Sequence, residues 1–157
     1  MRKKTKSLKR IIKPDTNYNS VLIAKFINYT MKNGKKTVAK RIVYNALGEA
    51  QDKLKKPALE IFESVINNVS PLLEVRSRRI GGATYQVPME VRTDRKVSLA
   101  MRWILESAKD RHGKNLDIFL AEEIINAFNR TGYAMKRRED MHKSAEANKA
   151  FAHFARF

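Results

Sequence analysis

Leu73-Glu74-Val75-Arg76-Ser77-Arg78-Arg79-Ile80-Gly81-Gly82-Ala83-Thr84-Tyr85-Gln86-Val87-Pro88-Met89-Glu90-Val91 is the stretch of this chain that runs with a two-residue period. Leu73, Val75, Ser77 and Arg79 alternate with Glu74, Arg76, Arg78 and Ile80. Beyond the glycine pair, Tyr85, Val87, Met89 and Val91 alternate with Thr84, Gln86, Pro88 and Glu90. Two alternating runs joined by Gly-Gly read as a β-hairpin, because a two-residue hairpin turn needs backbone conformations that glycine adopts freely. Pro88 has no N–H to give to a ladder, so the second strand has to be an edge. No further strand pattern follows, so residues 72–91 are predicted to form an isolated two-stranded ribbon. Such a ribbon is marginal in water by itself. Its apolar base is expected to lean on helices while its tip projects. At ~3.3 Å per residue a seven-residue strand reaches ~23 Å, against a radius of gyration of ~15 Å for a chain of this size.

Outside the ribbon the apolar residues recur at helical spacing. Asn19-Ser20 is a good N-cap for a helix carrying Val21, Leu22, Ala24, Phe26, Ile27 and Met31, which Asn33-Gly34 is expected to end as a left-handed cap. A second helix follows with Val38, Ile42, Ala46, Leu47, Ala50 and Leu54. A third begins near Pro57 with Ile61, Phe62, Val65, Ile66 and Val69 inward, and stops at Pro71. Spacing of the same kind resumes at Thr93 with Val97, Ala100, Met101, Ile104, Leu105 and Ala108, ended by Gly113. A fifth helix runs from Asn115 through Leu116, Phe119, Leu120, Ile124, Ala127 and Phe128, closed by Gly132. The last, from about Tyr133, is mostly charged. The fold class is mainly α: a bundle of about six helices with a protruding two-stranded β-hairpin arm and a disordered basic N-terminal tail.

With 157 residues, the chain is the length of one domain of about 150 residues. It carries 33 Lys and Arg against 16 Asp and Glu, a net charge of +17. Residues 1–13 hold seven cations and no acid. Residues 76–102 hold seven cations and two acids, and residues 130–157 seven and three, so the rest of the chain is nearly neutral. Excess charge gathered into a tail, a middle segment and a C-terminal segment is the footprint of a polyanion binder. A membrane surface would call instead for one helix with basic and apolar faces. No stretch approaches the ~20 apolar residues of a membrane span. With no cysteine, disulfide scaffolds, thiolate zinc sites and cysteine nucleophiles are excluded.

No catalytic set assembles. Asn33-Gly34-Lys35-Lys36-Thr37 resembles a P-loop only superficially, because Tyr29 stands where its first glycine belongs and Lys36 where Ser or Thr is required. Lys35 and Lys36 either touch phosphate or are ordinary solvated charges. His112, His142 and His153 lack metal-ligand spacing. Glu122-Glu123 and Glu139-Asp140 are helix neighbours that point different ways and read as surface charges.

The ribbon carries the chemistry. Arg76 and Arg78 are expected to share its polar face with Gln86, with Arg79 near the turn. A planar guanidinium pairs with phosphate oxygens and stacks on bases, and Gly81 and Gly82 let backbone approach a sugar-phosphate chain. Arg95, Arg102 and Lys109 recur every seven residues and form a basic ridge beside the ribbon's base. Tyr85 and Trp103 are of the type that stacks on bases, although Trp103 fits the core better. Phe151, Phe154 and Phe157 either pack on the domain or dock on a partner.

Residues Leu73 to Pro88 resemble the signature of the seventh protein of the small ribosomal subunit, the S-seven family, bacterial or organellar type. The resemblance continues through Glu90-Val91-Arg92, Arg102-Trp103-Ile104, Pro14-Asp15, Lys25-Phe26-Ile27-Asn28, Gly34-Lys35-Lys36 and Ala145-Glu146-Ala147-Asn148-Lys149-Ala150-Phe151-Ala152-His153, and so spans essentially the whole chain. It departs in the first thirteen residues, at Asn33 where many members carry Asp, and after His153. It implies a single RNA-binding domain over 1–157: a basic tail at 1–13, the arm at 72–91, and a basic C-terminal helix and tail at 133–157. It also implies a non-enzymatic structural component of the cytoplasmic ribosome, without cofactor or metal. That component binds the 3′ major domain of small-subunit rRNA and nucleates assembly of the subunit head. Its hairpin lies near the exit-site tRNA and the mRNA path, the ninth and eleventh small-subunit proteins are neighbours, and neither a membrane nor an obligate homo-oligomer is involved. RNA contact is thereby expected at Arg2, Lys3, Lys4, Lys6, Arg10 and Lys13, at Lys35 and Lys36, and at Arg76, Arg78 and Arg79, to which the residues of the ribbon itself add Gly81, Gly82, Tyr85 and Gln86. Further contacts are expected at Arg92, Arg95, Arg102, Lys136, Arg137, Arg138, His142, Lys143 and Lys149. The alternative is a histone-like architectural DNA-binding protein, which would bend duplex DNA.

Overall fold

The computed structural model describes residues 11–156. It contains α1 (Val21–Thr30), α2 (Lys36–Leu54), α3 (Ala58–Val69), β1 (Leu73–Ile80), β2 (Ala83–Glu90), α4 (Thr93–Lys109), α5 (Leu116–Phe128), α6 (Tyr133–Ala147) and a terminal 3₁₀ helix, Lys149–Arg156. The helices share one hydrophobic cluster built from Ile23, Phe26 and Ile27 of α1, Val43 and Leu47 of α2, Ile61, Phe62, Val65 and Val69 of α3, Met101 and Ile104 of α4, and Leu120 and Ile124 of α5. Phe26 and Phe62 meet there at a ring separation of 5.0 Å. Trp103 belongs to this cluster, buried.

Several boundaries differ from the sequence-based expectation. Helix α1 starts as expected, with the Ile23 N–H donating to the Ser20 hydroxyl, but it stops at Thr30. Asn33 and Gly34 both take positive φ (53° and 74°), and the Lys35 N–H closes on the Lys32 carbonyl at 3.1 Å. Asn-Gly therefore forms a primed β-turn between helices, not a helix cap, because that dipeptide tolerates two successive left-handed residues. In α2 the predicted Ala46, Leu47 and Ala50 are buried and Ile42 and Leu54 pack against the core, but Ala39 and Val43 join them and Val38 is exposed. Helix α4 ends at Lys109, before Gly113. Gly132 does not close α5; it is the N-cap of α6.

The ribbon forms in the predicted place, with Ile80 opposite Ala83 across Gly81-Gly82. That register puts Arg76 opposite Val87, Ser77 opposite Gln86 and Arg78 opposite Tyr85. Residues directly opposite share a face. Arg76 and Arg78 thus lie with Tyr85, Val87 and Met89, and Gln86 lies with Ser77 and Arg79: the expected grouping of Arg76, Arg78 and Gln86 is corrected. The Arg76 face is also the inward one, since Glu74 and Val87 are buried on it. Residues of α6 pack against the base of the ribbon, and the terminal 3₁₀ helix packs on β2.

Candidate nucleic-acid interface

The predicted contact residues fall into distinct surroundings. Arg2, Lys3, Lys4, Lys6 and Arg10 lie outside the described residues. Lys13 is exposed in an irregular segment, which lines a groove together with Lys36 and Lys40 of α2 and Asn28 of α1. Asp15 anchors that segment. Burial opposes its charge, but the Tyr44 hydroxyl donates to it at 2.6 Å and the Asn17 N–H at 3.1 Å. Together with the Tyr18 N–H these bonds hold its carboxyl below the ordinary carboxylate value.

Lys35 and Lys36 are exposed at the start of α2. That helix has no acidic residue in its first turn and no side-chain cap. Cations at the positive end of a helix run against its dipole, whereas the N–H groups of a helix's first turn can donate to an anion. The local conflict is the kind that a bound phosphate relieves.

From α2 the basic surface continues across α1 to α4. The Arg102 guanidinium sits 5.9 Å from the centre of the Tyr29 ring, which holds it over α1 with its edges exposed. One heptad earlier on the same helix is Arg95. Its Nε donates to Glu74 of the ribbon at 2.6 Å, and Arg76 donates to the other carboxylate oxygen. Arg92 is exposed at the N-cap of α4. Lys35, Lys36, Arg102, Arg95 and Arg76 thus belong to contacting elements, in the order α2, α1, α4, ribbon. Lys109, in line with Arg95 and Arg102, is exposed at the end of α4.

The outer face of the ribbon carries Ser77, Arg79, Thr84 and Gln86, all exposed, with the Gln86 amide donating to Ser77 Oγ at 3.0 Å. Gly81 and Gly82 at the tip are exposed with positive φ (56° and 90°). The inner face is occupied by the chain itself. Tyr85 packs 5.3 Å from both the Phe151 and Phe154 rings, and Arg78 donates to the Phe154 carbonyl and approaches Met89 Sδ. The C-terminal phenylalanines at 151 and 154 therefore pack internally.

On α6, Lys136 and Lys143 are exposed and line a groove with Arg130, Glu139 and Asp140. Arg137 lies over the Tyr133 ring, and Lys149 is exposed at the start of the 3₁₀ helix. Arg138 turns inward instead, donating to the Asn68 carbonyl at the end of α3 at 2.5 Å. His142 Nε2 accepts the Leu72 N–H at 3.0 Å. Burial and the nearby Arg138 charge hold this imidazole below its ordinary pKa, in the neutral form that can accept. Arg78, Tyr85, Arg138 and His142 thus share the basic segments without facing outward as the others do.

The carboxylate pair on α5 is corrected too. Glu122 is a surface charge, paired with Arg111 and Lys114 at 3.0 Å; the Lys114 hydrogen bond lowers its pKa. Glu123 is fully buried. It accepts from Ser107 Oγ at 2.7 Å, from the Ala134 N–H at 2.8 Å and from Arg111 at 3.1 Å, so it caps α6 and ties α4 to α5. Among the described residues no His, Asp or Glu cluster suits a metal ion. No helix there is long and apolar enough to cross a membrane.

Comparison with known proteins agrees with the earlier resemblance. Residues 1–149 match the family described as Ribosomal protein S7p/S5e. The small ribosomal subunit protein uS7 of Chloroflexus aurantiacus is 58% identical over 148 residues, 94% of each chain. Its counterpart in Roseiflexus castenholzii is 56% identical over 149 residues, 95% of each chain. That of Bordetella pertussis is 56% identical over 146 residues, 93% of this chain and 94% of its own. With a basic ribbon on a helical bundle and this likeness over nearly its full length, the chain belongs to the S7p/S5e family of small-subunit ribosomal proteins.

Proposed function

We propose that this protein is a non-catalytic component of the small ribosomal subunit that binds the 3′ major domain of the rRNA and nucleates folding of the subunit head. The observation that carries the reading is the set of exposed cations Lys35, Lys36, Arg102, Arg95, Arg76 and Arg79, carried on elements linked in the order α2, α1, α4, ribbon. Folding RNA helices against one another concentrates phosphates. Fixed arginines and lysines offset that repulsion without an ordering cost at the moment of binding. Arg76 at the base of the arm, the Arg79–Gln86 face and the glycine tip are open to RNA, and the outer face and tip are assigned to the exit-site tRNA and the mRNA path. The ninth and eleventh small-subunit proteins are its proposed neighbours, and the working compartment is the cytoplasmic ribosome.

Titration of the full chain with 3′ major-domain rRNA across a salt series tests this reading, with duplex DNA as competitor. Engaging about 6–10 phosphates gives a log–log slope of roughly −5 to −9. Binding that hardly changes with salt overturns the mechanism. Preference for duplex DNA at equal salt favours the architectural alternative instead.

A further inference from the structure

We propose that Glu74, an acid inside a basic surface, is a positioning residue for RNA binding: it aligns Arg76 of the ribbon and Arg95 of α4 as a fixed pair of guanidiniums. The proposal rests on the RNA-binding reading above and adds a residue that charge counting would assign the opposite effect.

The geometry is asymmetric. The Glu74 side chain is 5% exposed, whereas Arg76 and Arg95 are 49% and 44% exposed. The carboxylate is therefore sunk beneath the two cations that it holds. Arg76 uses Nε and Nη2 on Oε1, and Arg95 uses Nε on Oε2 at 2.6 Å. A guanidinium has five N–H donors, so three remain on Arg76 and four on Arg95, on side chains that are about half exposed. Free arginine side chains lose much rotamer freedom when they dock on phosphate. Here that freedom is already removed, and the ribbon is fastened to α4 by the same contact. Two like charges on separate elements would otherwise push apart, and one buried carboxylate between them keeps their heads together.

Simple electrostatics holds that deleting an acid from a polyanion-binding surface tightens binding. The positioning role predicts the reverse. In Glu74→Gln the side chain keeps its shape, but its amide accepts from one arginine and turns N–H groups toward the other. Affinity for 3′ major-domain rRNA should fall about three- to tenfold, as expected when two charge-assisted contacts lose alignment. The log–log salt slope should become shallower by about 1 to 2, roughly one phosphate contact per freed arginine.

The test is a titration of wild-type, Glu74→Gln, Arg76→Ala/Arg95→Ala and the triple variant, with circular dichroism on each. Weaker, less salt-dependent binding by Glu74→Gln that adds nothing in the Arg76→Ala/Arg95→Ala background supports the proposal. Equal or tighter binding by Glu74→Gln overturns it. An equal deficit in both backgrounds also overturns it, because Glu74 would then act through the fold alone. If Glu74→Gln does not fold, Glu74→Asp carries the test: it keeps the charge but is one methylene too short to hold both arginines, and wild-type binding by it overturns the proposal. Absence of salt-dependent RNA binding by the wild type would be a different failure, that of the functional reading, and would take this inference with it.

Discussion

Removing the Glu123 carboxylate should be among the most damaging changes a single side chain of this protein can suffer. The group is fully buried and receives hydrogen bonds from Ser107, Arg111 and the Ala134 backbone. In Glu123→Ala the Ser107 hydroxyl and the Ala134 N–H lose their partner inside the protein, at about 1–3 kcal/mol for each unsatisfied group. Arg111 contributes less to the loss, because its side chain is 33% exposed and keeps Glu122. The sum is about 2–6 kcal/mol, which for a chain of this size lowers Tm by roughly 4–24 °C. Glu122→Ala is the control on the same helix: its ion pairs with Arg111 and Lys114 lie at the surface, only partly buried, and their loss should cost about 1 kcal/mol or less. Urea unfolding followed by circular dichroism gives both values. If the two variants lose similar stability, the buried-acceptor reasoning is wrong.

Four further outcomes follow from particular residues. Gly132 has φ +94°, and a Cβ there would sit 3.0 Å from Asn126 Cβ and 3.1 Å from Glu123 Oε1; Gly132→Ala should cost about 1–3 kcal/mol in the same unfolding assay. Because neutral His142 accepts the Leu72 N–H and its folded pKa lies below the ordinary 6.5, this contribution to stability is complete above that value. It is lost as pH falls through the lower folded pKa, so Leu72 amide protection against hydrogen exchange should drop with acid, and His142→Ala should abolish the trend. Finally, Arg79→Ala should weaken RNA binding by a few-fold with unfolding unchanged, as for one phosphate contact. Arg78→Ala should instead loosen the 3₁₀ helix, seen as changed Phe154 environment in NMR spectra.

The ribbon was legible because Gly-Gly between alternating runs admits few other structures, and the core faces of α3 and α5 because their apolar residues keep one period. The register was also present in the sequence. A two-residue turn at Gly81-Gly82 pairs Ile80 with Ala83, and counting outward sets Arg78 against Tyr85. Reading each strand's alternation separately misses this, and so misplaced Arg76 and Arg78. The spacing of three between Phe151 and Phe154 matches the 3₁₀ period, a signal for the terminal helix that composition alone hides; Phe157 lies outside the described residues. That Phe151 and Phe154 close on Tyr85 is a tertiary fact without local trace. So is the burial of Glu123 beside exposed Glu122: adjacent helical positions diverge by about 100°, and only the packing of α4 and α6 decides which one is enclosed. The basic surface was legible as segments but not as a surface, because Glu74, which joins two of its arginines, reads in sequence as one more alternating polar residue.

Chemical footprinting of small-subunit rRNA with and without the full chain reads the proposed contact nucleotide by nucleotide. Protections should gather in the 3′ major domain and disappear as salt is raised. An rRNA whose reactivity is unchanged by the protein at low salt would contradict that contact.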